Sequence, residues 1–353
     1  TMPIVSFKFL LSRIWFVAVL YFLTAKMFSE GKNLEKYVWL YSISLVIVIF
    51  YTINRHLGYG IWNKEVANFV CNPFYKDHTS YGAALAMYIP FLLMFSFGRF
   101  VTRNEKIISL LVLAILIIGF IFSYTRAAWL SLIIAGGVYL VVKMKVRFKP
   151  LFITFATVLV LLILFWNQIE MGLAQNSEQS SADFKTHISS MTNISSDASN
   201  LERINRWSSA IRMFKDKPFV GFGPGTYMFQ YARYQLNEDR TIISTNSGDG
   251  GNAHSEYLGP LSESGVLGML TFLLIIGVVI YTAVHTYMRL TDRRLKSFVL
   301  AALVALVTYY IHGFLNNFLD TDKLSVPFWG FTAMIVAIDI YSRNQIKAQK
   351  NPD

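Results

Sequence analysis

Nine stretches of the chain are long and apolar enough to cross a lipid bilayer, and they constrain its fold more than any other feature. A membrane-spanning helix needs about 20 mostly apolar residues. The stretches lie near residues 9–28, 37–53, 80–97, 107–124, 127–142, 149–166, 265–288, 297–315 and 325–342. The chain is 54% hydrophobic and only 15% charged, a composition that excludes a soluble domain of this size. We therefore predict an all-α, polytopic helical membrane protein with about nine transmembrane helices.

A long polar segment divides these spans into two groups. Residues 1–166 contain the first six spans, residues 167–263 form one large loop, and residues 264–353 contain the last three spans and a tail. Residues 177–199 are rich in Ser, Asn and Asp, so we expect them to be flexible. The single Cys71 excludes an intramolecular disulfide.

The loop carries two predicted helices. Ser199 and Glu202 have the spacing of a capping box, which predicts a helix start. Apolar residues then recur at helical spacing, and we expect their stripe to lie on the membrane or on the helical bundle; they are Ile204, Trp207, Ile211 and Phe214. A second helix is predicted over about residues 226–236, and residues 237–252 are expected to move.

The positions of the basic residues, which give the chain a net charge of +11, indicate membrane topology and do not indicate nucleic-acid binding. Seventeen basic residues crowd alternate short loops and the C-terminal tail, whereas the intervening short loops hold five. The positive-inside rule places the first set in the cytoplasm. The long loop, with 8 basic and 11 acidic residues, falls on the opposite side. This topology puts the N-terminus outside without a signal sequence, so we expect upstream helices to be missing from the chain.

Three arginines and one histidine are the candidate site residues. Arg126 lies at the outer end of a tight helical hairpin, where it either snorkels, forms a structural pair or binds phosphate through its bidentate guanidinium. Arg203 and Arg206 flank one side of the first loop helix and form either a solvated charged face or a phosphate site. His254 is either structural or a general base for a hydroxyl. Glu256 is a poor orienting partner for it on a helix.

Other polar motifs carry weaker signals. The turn Gly221–Gly225 is either a plain turn or a backbone cradle for phosphate. Asp320 and Asp322 could hold a divalent cation, but an acidic loop beside a lysine is the simpler interpretation. His312, near the outer end of the eighth span, is either a bundle histidine or a side chain facing the same cavity.

In their order and spacing, four motifs resemble those of the O-antigen ligase and polymerase superfamily of bacterial envelope proteins. They are Ser123-Tyr-Thr-Arg126-Ala-Ala-Trp129-Leu; Arg203-x-x-x-Trp207 with Pro218-x-x-Gly221-x-Gly-Pro-Gly225; Ala253-His254-Ser-Glu-Tyr257-Leu258 with Glu263-Ser-Gly265-Val-Leu-Gly268; and Asp77-His-Thr-Ser-Tyr-Gly82. Serine stands at position 255 where the family usually has asparagine.

The resemblance implies a glycosyltransferase in the bacterial inner membrane, with its active loop in the periplasm and its C-terminus in the cytoplasm. The donor would be a glycan on undecaprenyl diphosphate, and the acceptor lipid A-core or a second lipid-linked glycan. By the same resemblance, Arg126 and Arg203 would bind the donor diphosphate, with Arg206 adjacent. His254 would activate the acceptor hydroxyl, and no metal or other cofactor is expected.

Ligation onto lipid A-core is the favoured interpretation, and several alternatives remain open. A polymerase would carry the same motifs, and other transferases of the superfamily act on different acceptors. A non-catalytic transporter of lipid-linked glycans should show inverted repeats and charges near the bilayer midplane. A non-catalytic envelope scaffold would tolerate the loss of both Arg126 and His254.

Overall fold

The structure, a computed structural model, describes residues 2–145, 202–240, 244 and 251–350. In chain order its long helices are α1 (Pro3–Met27), α2 (Lys32–Tyr59), α3 (His78–Phe97), α4 (Arg103–Phe122), α5 (Arg126–Lys143), α6 (residues 202–216), α7 (Leu258–Arg289), α8 (Arg293–His312) and α9 (Asp322–Lys350). All except α6 are long and apolar enough to cross a membrane, which makes eight spans. The described residues contain no strand, so the predicted all-α, multi-pass membrane fold is confirmed.

The predicted spans differ from the observed helices mainly at their ends. Helices α1, α2 and α7 begin five to seven residues before the apolar stretches that predicted them. The predicted tail is also largely helical, since α9 continues to Lys350. The predicted span at 149–166, the segment 177–199 and the capping residue Ser199 lie outside the described residues.

Short polar side chains fix where several helices begin. The Asp77 carboxylate accepts hydrogen bonds from the backbone N–H groups of Thr79 and Ser80 at the start of α3. Thr102 forms a capping box with Glu105 at the start of α4. Such side chains satisfy the backbone donors that the first helical turn leaves without partners.

Helices α3 and α8 form the centre of the bundle. Both are largely buried, whereas α1, α2, α4, α5 and α7 bury a third or less of their most apolar stretch and carry exposed apolar side chains on the outside. Helix α8 packs against α3, α5, α7 and α9, and its fully buried Ala302 and Ala305 permit close helix approach. Phe91 of α3 packs on Phe331 of α9 with ring centroids 4.6 Å apart. An apolar exterior around a packed centre is the arrangement that a lipid solvent favours.

Polar contacts join the helix ends at two opposite ends of the bundle. The end that carries Arg126 and residues 251–257 is called the loop face, and the end that carries Arg99, Lys143 and Arg294 is called the basic face. On the loop face, Thr125 donates to the carbonyl oxygen of His78 at 2.8 Å, and the backbone N–H of Glu256 donates to Gly313 at 2.8 Å. On the basic face, Arg294 pairs with Glu35 at 2.8 Å. The two sets of loops that the basic residues distinguish therefore occupy opposite ends of the described bundle.

Candidate functional site

Arg126 begins helix α5 on the loop face, directly after a tight turn. Tyr124 in that turn has a left-handed backbone with φ 51°, which reverses the chain between α4 and α5. The turn is held by the hydrogen bond from Thr125 to His78 and by the Trp129 indole, which donates to the carbonyl oxygen of Phe120 at 3.1 Å. The Arg126 side chain is exposed at this end of the bundle. The turn thus fixes the backbone of Arg126 while the guanidinium faces outward.

Arg206 lies on the buried side of α6 and is held by protein groups. Its Nε is 2.7 Å from Oε1 of Glu202, one helical turn earlier, and both side chains are buried. Its Nη1 donates to the carbonyl oxygen of Asn252 at 3.2 Å, and its guanidinium lies 4.9 Å from the centre of the Tyr231 ring. Arg206 therefore joins α6 to the segment that carries His254.

The apolar stripe of α6 faces outward. Ile204 is 52% exposed and Ile211 is 41% exposed, although their spacing is that of a buried face. Small and polar side chains occupy the buried side and pack on the loop; they are Asn205, Ser209, Ala210 and Met213. Asn205 donates to Gln235 at 2.9 Å, so hydrogen bonds on this side supplement apolar packing. Within the described ranges of the chain, Ile204 and Ile211 therefore do not pack against the helical bundle.

The segment before α7 holds His254 in an unusual backbone conformation. His254 has φ 46°, a left-handed value that is uncommon for residues other than glycine. Its backbone N–H donates to the Asn252 side chain at 3.1 Å, and its carbonyl oxygen accepts from the Trp207 indole at 3.3 Å. The Ser255 hydroxyl oxygen accepts hydrogen bonds from the backbone N–H groups of Tyr257 and Leu258, each at 3.3 Å, just before α7.

His254 and the three arginines influence one another electrostatically. Burial, followed by the positive charges of Arg206 and Arg203, lowers the pKa of the His254 imidazole to about 4. Burial also lowers the pKa of Arg203. The negative charge of Asp77 raises that pKa, and the positive charge of Arg126 lowers it further. A guanidinium remains protonated in proteins, so the site combines fixed positive charges with an imidazole that is neutral at pH 7. This arrangement can bind an anion beside a proton acceptor.

The glycine turn is closed by a carboxylate of the same chain. Glu263 accepts hydrogen bonds from the backbone N–H groups of Gly225 at 2.8 Å and Tyr227 at 2.9 Å. Gly221, with φ 61°, lies so close to the Glu263 backbone that an added Cβ would fall 2.3 Å from its carbonyl carbon. A second glycine, Gly265 with φ 66°, kinks α7 and contacts the backbone of Phe219. Since Glu263 occupies two of the turn's donors, the plain-turn interpretation fits better than a phosphate cradle.

Residues 111–273 match the sequence profile of the O-antigen ligase family, and this region contains Arg126, the glycine turn and His254. The region belongs to the O-antigen ligase family. The resemblance predicted from the motifs is thereby confirmed. No curated protein sequence matches the chain significantly.

Glu256 anchors the O-antigen ligase region to the last loop of the bundle, residues 313–321 between α8 and α9. Its carboxylate accepts hydrogen bonds from the Tyr309 hydroxyl and from the backbone N–H groups of Phe318, at 2.8 Å, and Leu319, at 2.9 Å. Burial, with a contribution from Asp320, raises the pKa of Glu256 to about 7. Glu256 thus points away from His254, as expected from the spacing of the two residues.

The last loop of the bundle holds its acidic residues in contacts with cations. Asp320 pairs with Arg13 of α1, and Asp322 lies 3.3 Å from the Lys323 ammonium group. Across the described part of the chain, no three His, Cys, Asp or Glu side chains are grouped so that they could hold a metal ion. The structure therefore favours the acidic-loop interpretation of these two aspartates.

Three residues near the candidate site carried little signal in the sequence. Asp77 and His78 begin α3, and the charge of Arg203 reaches His78 and the fully buried His312. His312 Nε2 lies 3.1 Å from the Asn316 amide nitrogen. Only the motif resemblance singled out Asp77 and His78, since contact between α3 and the distant loop has no periodic signature.

The second predicted loop helix is wrong in its extent. A single α-helical turn covers Tyr227–Gln230, and a tighter 3-10 turn follows over Tyr231–Tyr234. Tyr227 and Tyr231 stack with ring centroids 5.2 Å apart, and the Tyr227 hydroxyl donates to the carbonyl oxygen of Arg206 at 2.8 Å. Side-chain packing against α6 therefore competes with regular helix over this segment.

Proposed function

We propose that this chain is a membrane glycosyltransferase that acts at the periplasmic face of the bacterial inner membrane. It transfers a glycan from undecaprenyl diphosphate to a hydroxyl group of lipid A-core, as an O-antigen ligase. The observation that carries the proposal is the pairing of a neutral His254 with the positive charges of Arg203 and Arg206 inside the O-antigen ligase region. The outward apolar side of α6 supports a substrate that is itself embedded in lipid.

The proposed reaction is a direct displacement at the anomeric carbon of the donor glycan. The acceptor oxygen bonds to that carbon while its proton passes to a ring nitrogen of His254. The bond between the carbon and the diphosphate oxygen breaks, and the diphosphate leaves with the electron pair. Arg126 and Arg203 stabilise the negative charge that develops on this leaving group, because preorganised cations in a partly dehydrated site do so effectively. The leaving group requires no protonation.

Donor binding would also improve His254 as a base. In the free protein the arginine charges keep its pKa low, which keeps the imidazole neutral but only weakly basic. A bound diphosphate compensates these charges and raises the pKa towards neutral pH, where proton acceptance is most efficient. Arg206, already bonded to Glu202 and Asn252, is assigned the task of positioning the His254 segment and adding positive charge to the site.

Purified protein incubated with undecaprenyl-diphosphate glycan tests the proposal. Lipid A-core and a second lipid-linked glycan are offered separately, each with and without EDTA. We expect glycosylated lipid A-core in both the presence and the absence of EDTA. A ladder of longer lipid-linked glycans would instead identify a polymerase. Absence of product with either acceptor, despite measured donor binding, would contradict transfer to both acceptor classes.

A further inference from the structure

An apolar groove opens between α3, α5 and α8 in the half of the bundle nearest the basic face. Its volume is about 550 Å³, within the range of small-molecule sites. The groove is lined by side chains from the last turns of α3, the second half of α5 and the first half of α8, among them Pro90, Leu93, Leu132, Tyr139 and Leu300. Gly136 opens its wall, since a Cβ added there would meet no atom within 4 Å.

A second cavity of about 280 Å³ continues this groove towards the basic face. The two cavities share lining residues, including Phe97, Tyr139 and Leu300. Four cationic side chains line only the second cavity: Arg99, Lys143, Arg293 and Lys296. The combined groove is therefore apolar towards the membrane interior and strongly basic at its mouth.

The four mouth cations differ from their neighbours on the basic face. Arg289 and Arg343 both pair with Asp339, and Arg294 pairs with Glu35. Within the described ranges of the chain, none of the four mouth cations forms an ion pair with a carboxylate. The Lys143 ammonium group lies 2.9 Å from the hydroxyl of Tyr139, a residue that lines both cavities. The positive charge at the mouth is thus left for a ligand.

We propose that this groove binds an anionic phospholipid of the leaflet at the basic face. An acyl chain occupies the apolar part between α3, α5 and α8, and the phosphate lies among the four mouth cations. Charge complementarity selects an anionic over a zwitterionic headgroup, because basic residues at a membrane surface attract anionic lipids. The site lies at the opposite end of the bundle from His254, and it does not depend on the proposed transfer reaction.

Native mass spectrometry of the detergent-purified full chain tests the headgroup. Protein is mixed with phosphatidylglycerol or phosphatidylcholine carrying the same acyl chains, and the bound lipid is counted. The test variant replaces the four mouth cations by glutamine. The matched control replaces four exposed cations of the same face that line neither cavity: Lys26, Lys36, Arg103 and Lys347.

We expect the parent and the control variant to retain phosphatidylglycerol in preference to phosphatidylcholine. Removing all four cations should lower retention of phosphatidylglycerol at least about tenfold in the test variant. Equal retention of both lipids by the parent would overturn the proposal. Equal loss in the test and control variants would do the same, because the attraction would then belong to the whole face.

A second pair of variants tests the apolar part without altering charge. Gly136→Phe fills the groove, whereas Gly137→Phe adds the same ring at a neighbouring position that does not line it and where a Cβ also meets no atom within 4 Å. We expect only Gly136→Phe to reduce phosphatidylglycerol retention. Unchanged retention would overturn the seating of an acyl chain in the groove.

A photocrosslinker at Leu93 identifies the occupant in membranes. Attachment to phospholipid supports the proposal. Attachment to residues 149–166 of the same chain would overturn it, because the groove would then be filled by protein.

Discussion

The Glu263 carboxylate accepts a hydrogen bond from the backbone N–H of Gly225 at 2.8 Å, joining two sequence motifs 38 positions apart. The same carboxylate accepts from Tyr227, and the Gly223 N–H donates to the Glu263 carbonyl oxygen at 2.7 Å. These bonds join the loop to the outer end of α7, just before the kink at Gly265. The two motifs therefore form one structural unit that supports the neighbouring site.

Glu263→Ala should destabilise this unit. The substitution leaves two part-buried backbone donors without this acceptor, and we expect a loss of about 1–3 kcal/mol in stability. Thermal unfolding in detergent, together with limited proteolysis of the loop, measures the effect. Glu263→Gln retains one carboxamide oxygen as an acceptor and should fall between the parent and the alanine variant. A parental unfolding temperature for Glu263→Ala would contradict the assignment.

His254→Ala should reduce the rate of transfer by about a hundredfold to ten-thousandfold, the usual contribution of a general base. Donor binding should change little, because the arginines remain. The assay is transfer to the productive acceptor at saturating donor. His285→Ala, at an exposed position on α7, provides the matched control and should retain the parent rate. A folded His254→Ala protein that transfers at more than a few per cent of the parent rate would exclude this role, because the expected loss leaves at most about 1% of that rate.

Arg126→Gln and Arg203→Gln should each lower kcat by about a hundredfold to a thousandfold, because each removes charge stabilisation of the leaving diphosphate. Steady-state kinetics and donor binding by titration separate this effect from simple loss of affinity. Lys215→Gln is the control on α6, since Lys215 is an exposed cation of the same helix. Comparable losses in all three variants would indicate a general effect of charge.

As the pH is lowered, kcat/KM and kcat for transfer should begin to fall at different pH values. An imidazolium cannot accept a proton, so activity falls as the pH drops through the pKa of His254. In the free protein that pKa is about 4, and kcat/KM should decline there. Bound diphosphate raises the pKa, so kcat should decline at a higher pH. Rate profiles from acidic to neutral pH test this, and a decline of both at the same pH would contradict the electrostatic coupling.

Glu256→Ala should loosen the last loop of the bundle. It removes the acceptor for Tyr309, Phe318 and Leu319, and we expect a loss of about 2–4 kcal/mol in the free energy of unfolding. Glu256→Gln should remain close to the parent, because the same side-chain oxygen can accept these bonds. Thermal unfolding distinguishes the two variants, and equal destabilisation by both would contradict the prediction.

Glu256 also adds a pH dependence to stability. Its pKa in the folded protein, about 7, lies above the ordinary value of 4.5, so its contribution is complete below pH 4.5 and is lost as the pH rises through about 7. Glu256→Gln, which cannot ionise, should lack this part of the decrease.

The sequence predicts the spans well because the bilayer imposes length and apolarity on every crossing helix. It also contains the spacing of Glu202 and Arg206, four residues apart on one helix, which would have indicated their ion pair. That pair explains why Arg206 is buried at the junction of α6 and the His254 segment.

Other features depend on contacts between distant segments. The spacing of the apolar residues in α6 predicts a helix but does not predict which way its apolar side faces. Lipid can cover an apolar side that a soluble protein would have to bury. The acceptor that closes the glycine turn, Glu263, lies 38 positions from Gly225, and no local pattern links the two. The helix predicted over 226–236 is broken by aromatic packing that only the assembled loop provides.

The inward and outward sides of α6 should tolerate substitutions to different degrees. Substitutions on the inward side disturb Arg206 or Asn205 and with them the loop, so that side preserves the chemistry. The outward side, with Ile204 and Ile211, can change without breaking a hydrogen bond. Under the proposed function, the outward contacts of α6 can therefore change with the substrate while the bonds that hold Arg206 beside His254 stay the same.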